Sequence, residues 1–185
     1  LLLPWPTNTN PNGKLIDAVL SAWTQSGVEH TVVVIRPDDE LMETACRAWP
    51  VTIVRPPIPP TDMKASIQIG LQYIASTWRP SNVARCYVAP ADLPGLSAPL
   101  IDRLLETKYD ASKIVLPRFG DKAGHPALIP WPIIAQEIFE LGEGEGVDRI
   151  VARHEKQQVL FSAASAFDDI DTPEQYRIAL AQRQS

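Results

Sequence analysis

Thr31-Val32-Val33-Val34-Ile35 is a continuous β-branched run. With no polar residue alternating through it, the run predicts a short strand buried on both faces, as in a parallel sheet covered by helices. After it, Asp38 to Trp49 reads as a helix and Val51-Thr52-Ile53-Val54 as a second buried strand. Before it, Leu15, Ile16, Ala18, Val19, Leu20, Ala22 and Trp23 recur at helical spacing, and Gly27 supplies a stop. Beyond the proline-rich loop Pro56 to Pro60, Asp62 to Trp78 predicts a helix with Ile67, Leu71 and Ile74 on one face. Arg85-Cys86-Tyr87-Val88-Ala89 is a third strand, ending at Pro90-Ala91-Asp92.

The rest of the chain keeps the alternation. Ala98 to Thr107 is helical, Lys113 to Pro117 a fourth strand, and Ala127-Leu128-Ile129 a further short one. Ile133 to Leu141 and Gly146 to His154 read as helices, Val159-Leu160-Phe161 as a strand and Pro173 to Gln182 as a closing helix. The acidic, glycine-rich Gly142 to Gly146 reads as a flexible connector. Strands alternating with helices predict an α/β fold with a mostly parallel sheet between helical layers. A length of 185 residues, without repeat or linker, fits one domain.

Composition narrows the function. The chain is 45% hydrophobic and 21% charged, as globular domains are. A net charge of −5 argues against a nonspecific nucleic-acid binder. It leaves room for a single nucleotide, which a few placed cations or a metal can hold. No apolar run is long enough for a membrane span. Cys46 and Cys86 lack zinc-ligand spacing, Cys86 reads as a buried thiol, and a reducing, cytoplasmic setting is expected.

In an open α/β sheet, ligands bind beyond the carboxyl ends of the strands. Asp92 stands there, between Pro90 and Pro94. It suits a magnesium ligand, since Mg²⁺ is usually held by one or two carboxylates plus substrate phosphates. It equally suits a turn or cap before the next helix. In Asp168-Asp169-Ile170-Asp171-Thr172-Pro173, Asp171 or Thr172 can cap the helix that Pro173 opens. Three aspartates exceed what a cap needs, and their repulsion favours one as a metal ligand. In Gly124-His125-Pro126, His125 can donate to a phosphate or pterin group, although a lone histidine is more often a turn or core residue. Met63-Lys64-Ala65-Ser66 opens a helix whose free N–H groups can meet an anion, although Asp62 and Ser66 also serve as ordinary caps.

Taken in order, Leu2-Leu3-Pro4-Trp5, Met63 to Ser66 with Gly70-Leu71, Ala91-Asp92-Leu93-Pro94, Gly124-His125-Pro126, Gly144 to Arg149 and Asp169 to Tyr176 resemble the MobA-like NTP transferases. They are most similar to the molybdenum cofactor cytidylyltransferase branch. The resemblance implies a three-layer Rossmann-like nucleotidyltransferase fold, of the nucleotide-diphospho-sugar transferase type. It implies Mg²⁺-dependent transfer of CMP or GMP from CTP or GTP to a phosphorylated acceptor such as molybdopterin, with pyrophosphate released. By motif position, Asp92 would be the principal metal ligand and catalytic residue, and Asp169 or Asp171 would complete the metal site. Met63 and Ser66 would lie near the nucleotide, and Gly124, His125 and Pro126 on the acceptor side.

The family also begins with a strand, a glycine-rich loop that cradles the triphosphate, and a lysine just before the Leu-Leu-Pro-Trp segment. The chain begins at Leu1 without an initiator Met, and Lys14 does not occupy that lysine's place. Residues 1–185 are therefore expected to form a single domain, N-terminally truncated relative to the family, with little NTP affinity without the loop. The alternatives are a catalytically inactive, nucleotidyltransferase-like binding or regulatory protein and, more remotely, a sugar-nucleotide site of glycosyltransferase type.

Overall fold

A computed structural model describes residues 1–7, 10–108, 110–162, 170 and 172–183, with the backbone alone at 182 and 183. Helices α1 (Leu15–Thr24), α2 (Glu40–Cys46), α3 (Met63–Thr77), α4 (Ala98–Glu106), α5 (Trp131–Glu137), α6 (Val147–Arg153) and α7 (Pro173–Arg183) alternate with strands for most of the chain. The strands are β1 (Val32–Val34), β2 (Thr52–Val54), β3 (Arg85–Val88), β4 (Ile114–Phe119), β5 (Lys122–Ala123), β6 (Ala127–Pro130) and β7 (Lys156–Phe161). The short hairpin strand β5 had no signature in the sequence.

The helix starts follow local chemistry. Asp39 caps α2 by accepting from the Met42 N–H at 2.9 Å, and Asp62 caps α3 by accepting from Ala65 at 2.7 Å. Pro99 sits in the first turn of α4, where the amide hydrogen that proline lacks would have no helical partner. At α7, the Thr172 hydroxyl accepts from the Gln175 N–H at 3.2 Å, while the Gln175 side chain accepts from the Thr172 N–H at 2.8 Å. This reciprocal pair is a capping box. It settles the cap of α7 on Thr172.

The expectation of one mostly parallel sheet needs correction. β1 and β2 form a parallel two-stranded sheet of their own. The larger sheet is mixed, in the order β3-β6-β4-β5 with β7 also on β4. Its β3–β6, β6–β4 and β4–β5 pairs are antiparallel, and β4–β7 is parallel. The reversal comes from the tight return after β4, through β5 and Gly124-His125-Pro126, which sends β6 back along β4 without a helical crossover.

The reading of Thr31 to Ile35 and Val51 to Val54 as strands buried on both faces is also overturned, because all residues of β1 and β2 are half-buried. Among the described residues, β1 pairs with β2 alone and β3 with β6 alone. Yet α1 and α3 each pack on both sheets. From α1, Ile16 and Leu20 join Ile35 and Val33, while Val19 and Trp23 join Tyr87. From α3, Gly70 lies so close to Val34 that an added Cβ would stand 3.3 Å from its Cγ2, while Ile67, Leu71 and Ile74 join Cys86 and Val88. Among the described residues the two sheets are thus neighbours under shared helices with no ladder between them, and that boundary leaves β1 and β2 only half-buried.

The strands covered on both faces are β4 and β6, where Ile114, Val115, Leu128 and Ile129 are at most 1% exposed. Val115 and Leu128 face the layer of α1, α4 and α7, and Ile114 and Ile129 face α3, α5 and α6. The three-layer α/β arrangement therefore stands. Cys86 belongs to the second layer, and although the residue as a whole is half-buried, burial pushes its thiol up to about 12. Cys46 is raised as well, by burial first and then by Asp17 and Asp39.

Both thiols stay protonated near neutrality, so a thiol reagent titrates them orders of magnitude more slowly in the native state than in urea. The sign of the Cys86 linkage follows from its raised value. Its contribution to stability is whole below the ordinary thiol value of 9.0 and is lost as pH rises towards 12. The urea midpoint of Cys86→Ala accordingly falls less over that window than that of the parent.

Candidate active site

The strand directions gather the candidate residues at one edge. β3, β4 and β7 run the same way, so their carboxyl ends at Val88, Phe119 and Phe161 lie together. β6 starts at this edge, which brings Gly124, His125 and Pro126 there. Ala91, just past β3, packs on the cluster that contains Ile35, just past β1, which brings the end of the smaller sheet towards the same edge. Helices α3 and α4 open after strands that end there.

Asp92 is half-buried and is followed by the buried Leu93 and Pro94, which fix its loop. Helix α4 takes Ser97 as its N-cap, so Asp92 is not used as a helix cap. The Asp92 carbonyl accepts from the Ile170 N–H at 3.1 Å. Asp168, Asp169 and Asp171 lie outside the described residues. Ile170 is described, and this bond ties its backbone to the Asp92 loop. Farther along, the Tyr176 hydroxyl donates to the Pro4 carbonyl, and the Tyr176 and Trp5 rings are 6.1 Å apart. A groove of about 440 Å³ beside this junction is lined by Leu3, Ile170, Thr172, Pro173, Tyr176 and Arg177. Among the described residues, no cluster of three His, Cys, Asp or Glu side chains could hold a metal ion.

Met63 and Ser66 occupy the first turns of α3. The Met63 side chain is 66% exposed, and the Ser66 hydroxyl donates to the Asp62 carbonyl at 3.2 Å. Asp62 alone caps α3 with its side chain, so the reading that Ser66 also serves as a cap is corrected: its hydroxyl bonds back to a carbonyl that already belongs to the helix ladder. Lys64, in the same motif, has no role of its own in the sequence reading; its ammonium donates to the Leu141 carbonyl at 3.5 Å and also to that of Gly142. The Gly142 N–H in turn donates to the Glu145 carboxylate at 2.8 Å. That bond, ahead of the one from Arg149, holds the Glu145 carboxyl below its usual range. Gly142 to Gly146 is therefore a hydrogen-bonded turn anchored to α3, which corrects its reading as a flexible connector.

On the other side, the Gly124 N–H donates to the Pro117 carbonyl at 3.0 Å, Pro126 is buried and the His125 ring is exposed. Arg118 holds the β4–β5 turn by donating to the Gly120 carbonyl at 2.6 Å and to Asp121 at 2.9 Å.

A family model described as "MobA-like NTP transferase domain" matches residues 2–159. The chain belongs to the MobA-like NTP transferase family. Its fold recurs in a nucleotidyl transferase from Methanothermobacter thermautotroptrophicus, with a TM-score of 0.79 at 19% identity over 100% of this chain and 84% of that one. The manganese complex of Rv0371c from Mycobacterium tuberculosis gives 0.74 at 21% identity over 97% and 90%. Molybdopterin-guanine dinucleotide biosynthesis protein A from Archaeoglobus fulgidus gives 0.60 at 15% identity over 94% and 87%. At these identities the likeness is one of fold. No curated protein sequence matches the chain. Within the described residues of this MobA-like domain, no helix is long and apolar enough to cross a membrane.

Proposed function

We propose that this MobA-like domain transfers CMP or GMP from CTP or GTP to the terminal phosphate of an acceptor such as molybdopterin, in a Mg²⁺-dependent reaction in the cytoplasm. An acceptor phosphate oxygen attacks the α-phosphorus, the bond from that phosphorus to the α–β bridging oxygen breaks, and pyrophosphate departs. The observation that carries this reading is the bond from the Ile170 N–H to the Asp92 carbonyl, which ties Ile170 to the loop that carries Asp92.

The donor set fits a hard divalent cation, since every candidate is a carboxylate oxygen. Asp92, with Asp169 or Asp171, would hold it. Manganese in the Rv0371c complex supports divalent-metal use in this fold. When bound, the cation neutralises charge developing on the phosphates. Met63 and Ser66 would border the nucleotide, and Gly124, His125 and Pro126 the acceptor. Fixing both reactants on loops stiffened by Pro90, Pro94 and Pro126 supplies the positioning on which phosphoryl and nucleotidyl transfer chiefly depend.

Thermal titration of the full-length protein with CTP, GTP and ATP, each with and without Mg²⁺ or Mn²⁺, tests the binding half of this proposal. A ligand at 100 times its Kd stabilises the native state by about 2.7 kcal/mol. A metal-dependent rise in Tm with CTP or GTP is expected. Equal shifts with and without metal would remove the cation from the proposal.

A further inference from the structure

A second groove, of about 280 Å³, opens between α4 and the ends of β4 and β7, lined by Ser97, Pro99, Leu100, Arg103, Phe119, Phe161 and Ser162. The parallel register sets Phe119 beside Phe161, and their rings stack at 6.3 Å and 24°. Arg103, one α4 turn beyond Pro99, places its guanidinium carbon 4.7 Å from the Phe161 ring centroid.

The charge on Arg103 is handled unlike that on most arginines here. Arg47 and Arg55 share Glu43, Arg149 and Arg153 share Glu145, Arg118 meets Asp121, and Arg177 meets Glu174. Among the described residues no carboxylate pairs with Arg103, whose side chain is held against an aromatic face instead. Cation–π contact at an exposed site is worth only about 0.5–1 kcal/mol and leaves the in-plane N–H donors available. The Ser97 hydroxyl, at the start of α4, also makes no capping bond.

We infer that this groove seats a planar heteroaromatic ring bearing an anionic group, with Arg103 reading the charge and Phe119, Phe161 and Leu100 forming the apolar wall. Its volume suits one small ring system rather than a whole nucleotide, because pockets for drug-sized ligands start at about 300 Å³. Leu93 and Leu96 pack in the same apolar cluster as Leu100, so the loop from Asp92 to Ser97 ties the groove to the site edge. Resting on the function proposed above, the groove would hold the remote body of the acceptor, and Arg103 would act as a specificity-determining residue outside the reacting atoms.

The probe is 6-carboxypterin, followed by its fluorescence anisotropy on the full-length protein. Saturable binding is expected, displaced by excess planar aromatic carboxylate and not by cyclohexanecarboxylate. Arg103→Ala should weaken it about tenfold or more, because hydrogen bonds to charged groups are worth about 1.5–3 kcal/mol. Arg103→Lys should recover only part of the loss, since lysine lacks the planar fork. No binding, or binding that Arg103→Ala leaves unchanged, overturns the inference. The nucleotide titration reports the underlying function separately: a metal-dependent nucleotide shift without probe binding sinks the groove alone. Probe binding sensitive to Arg103 without any nucleotide shift sustains the groove and sinks the transferase reading.

Discussion

Asp92→Asn lowers metal-dependent nucleotidyl transfer on the order of 10²–10³-fold, the loss seen when one preorganised electrostatic group is removed from a transition state. Asparagine keeps the shape and one carbonyl oxygen but removes the charge that a divalent cation needs. The fold should tolerate the change. Ser97 is the N-cap of α4, the bond to Ile170 uses the Asp92 backbone carbonyl, and asparagine keeps the volume of the side chain, so these features survive the substitution. The check is therefore paired, with kcat measured under saturating metal and Tm measured without ligand. Lost turnover with an unchanged Tm places the effect in chemistry, whereas retained turnover removes Asp92 from the metal site.

Leu104→Ala produces the largest stability loss, about 2–5 kcal/mol. Leu104 is 0% exposed on α4, in the cluster that joins α1 and α4 to β4 and β6. Truncation there removes transfer free energy and opens a cavity in the cluster between α4, α1 and the sheet. Total stabilities of about 5–15 kcal/mol make this a large fraction. Val83→Ala is the control, because Val83 is 83% exposed and its truncation should fall within about 0.5 kcal/mol. Urea midpoints of the two variants separate burial from hydrophobic character. Equal losses in both would mean that α4 does not pack as described.

Much of this architecture was legible because helix signals are local. The apolar spacing from Leu15 to Trp23, the carboxylates of Asp39 and Asp62, and Thr172 ahead of Pro173 each mark a helix through neighbours in the chain. Strand pairing is not local. Thr31 to Ile35 announced a strand correctly, but its burial depends on what lies along each edge, which β-branched composition does not encode. The antiparallel return of β6 likewise depends on the turn after β4 and not on the apolar residues of β6 itself.

The site shows the same division. Asp92 could be found because a carboxylate between prolines after a strand is a local pattern. The tie from Asp92 to Ile170, the anchor from Lys64 to Gly142 and the meeting of Arg103, Phe119 and Phe161 all join segments far apart in sequence. Nothing local in the sequence marks these meetings. Only the parallel register of β4 and β7 puts the two phenylalanines side by side.

The central claim is metal-dependent nucleotidyl transfer, and release of pyrophosphate tests it most directly. The full-length protein would be supplied with CTP, GTP or ATP, with molybdopterin as acceptor, and with Mg²⁺, Mn²⁺ or chelator. The account predicts acceptor-dependent pyrophosphate release with CTP or GTP, abolished by the chelator and by Asp92→Asn. No release with any nucleotide and metal, or release indifferent to both the chelator and Asp92→Asn, would contradict it.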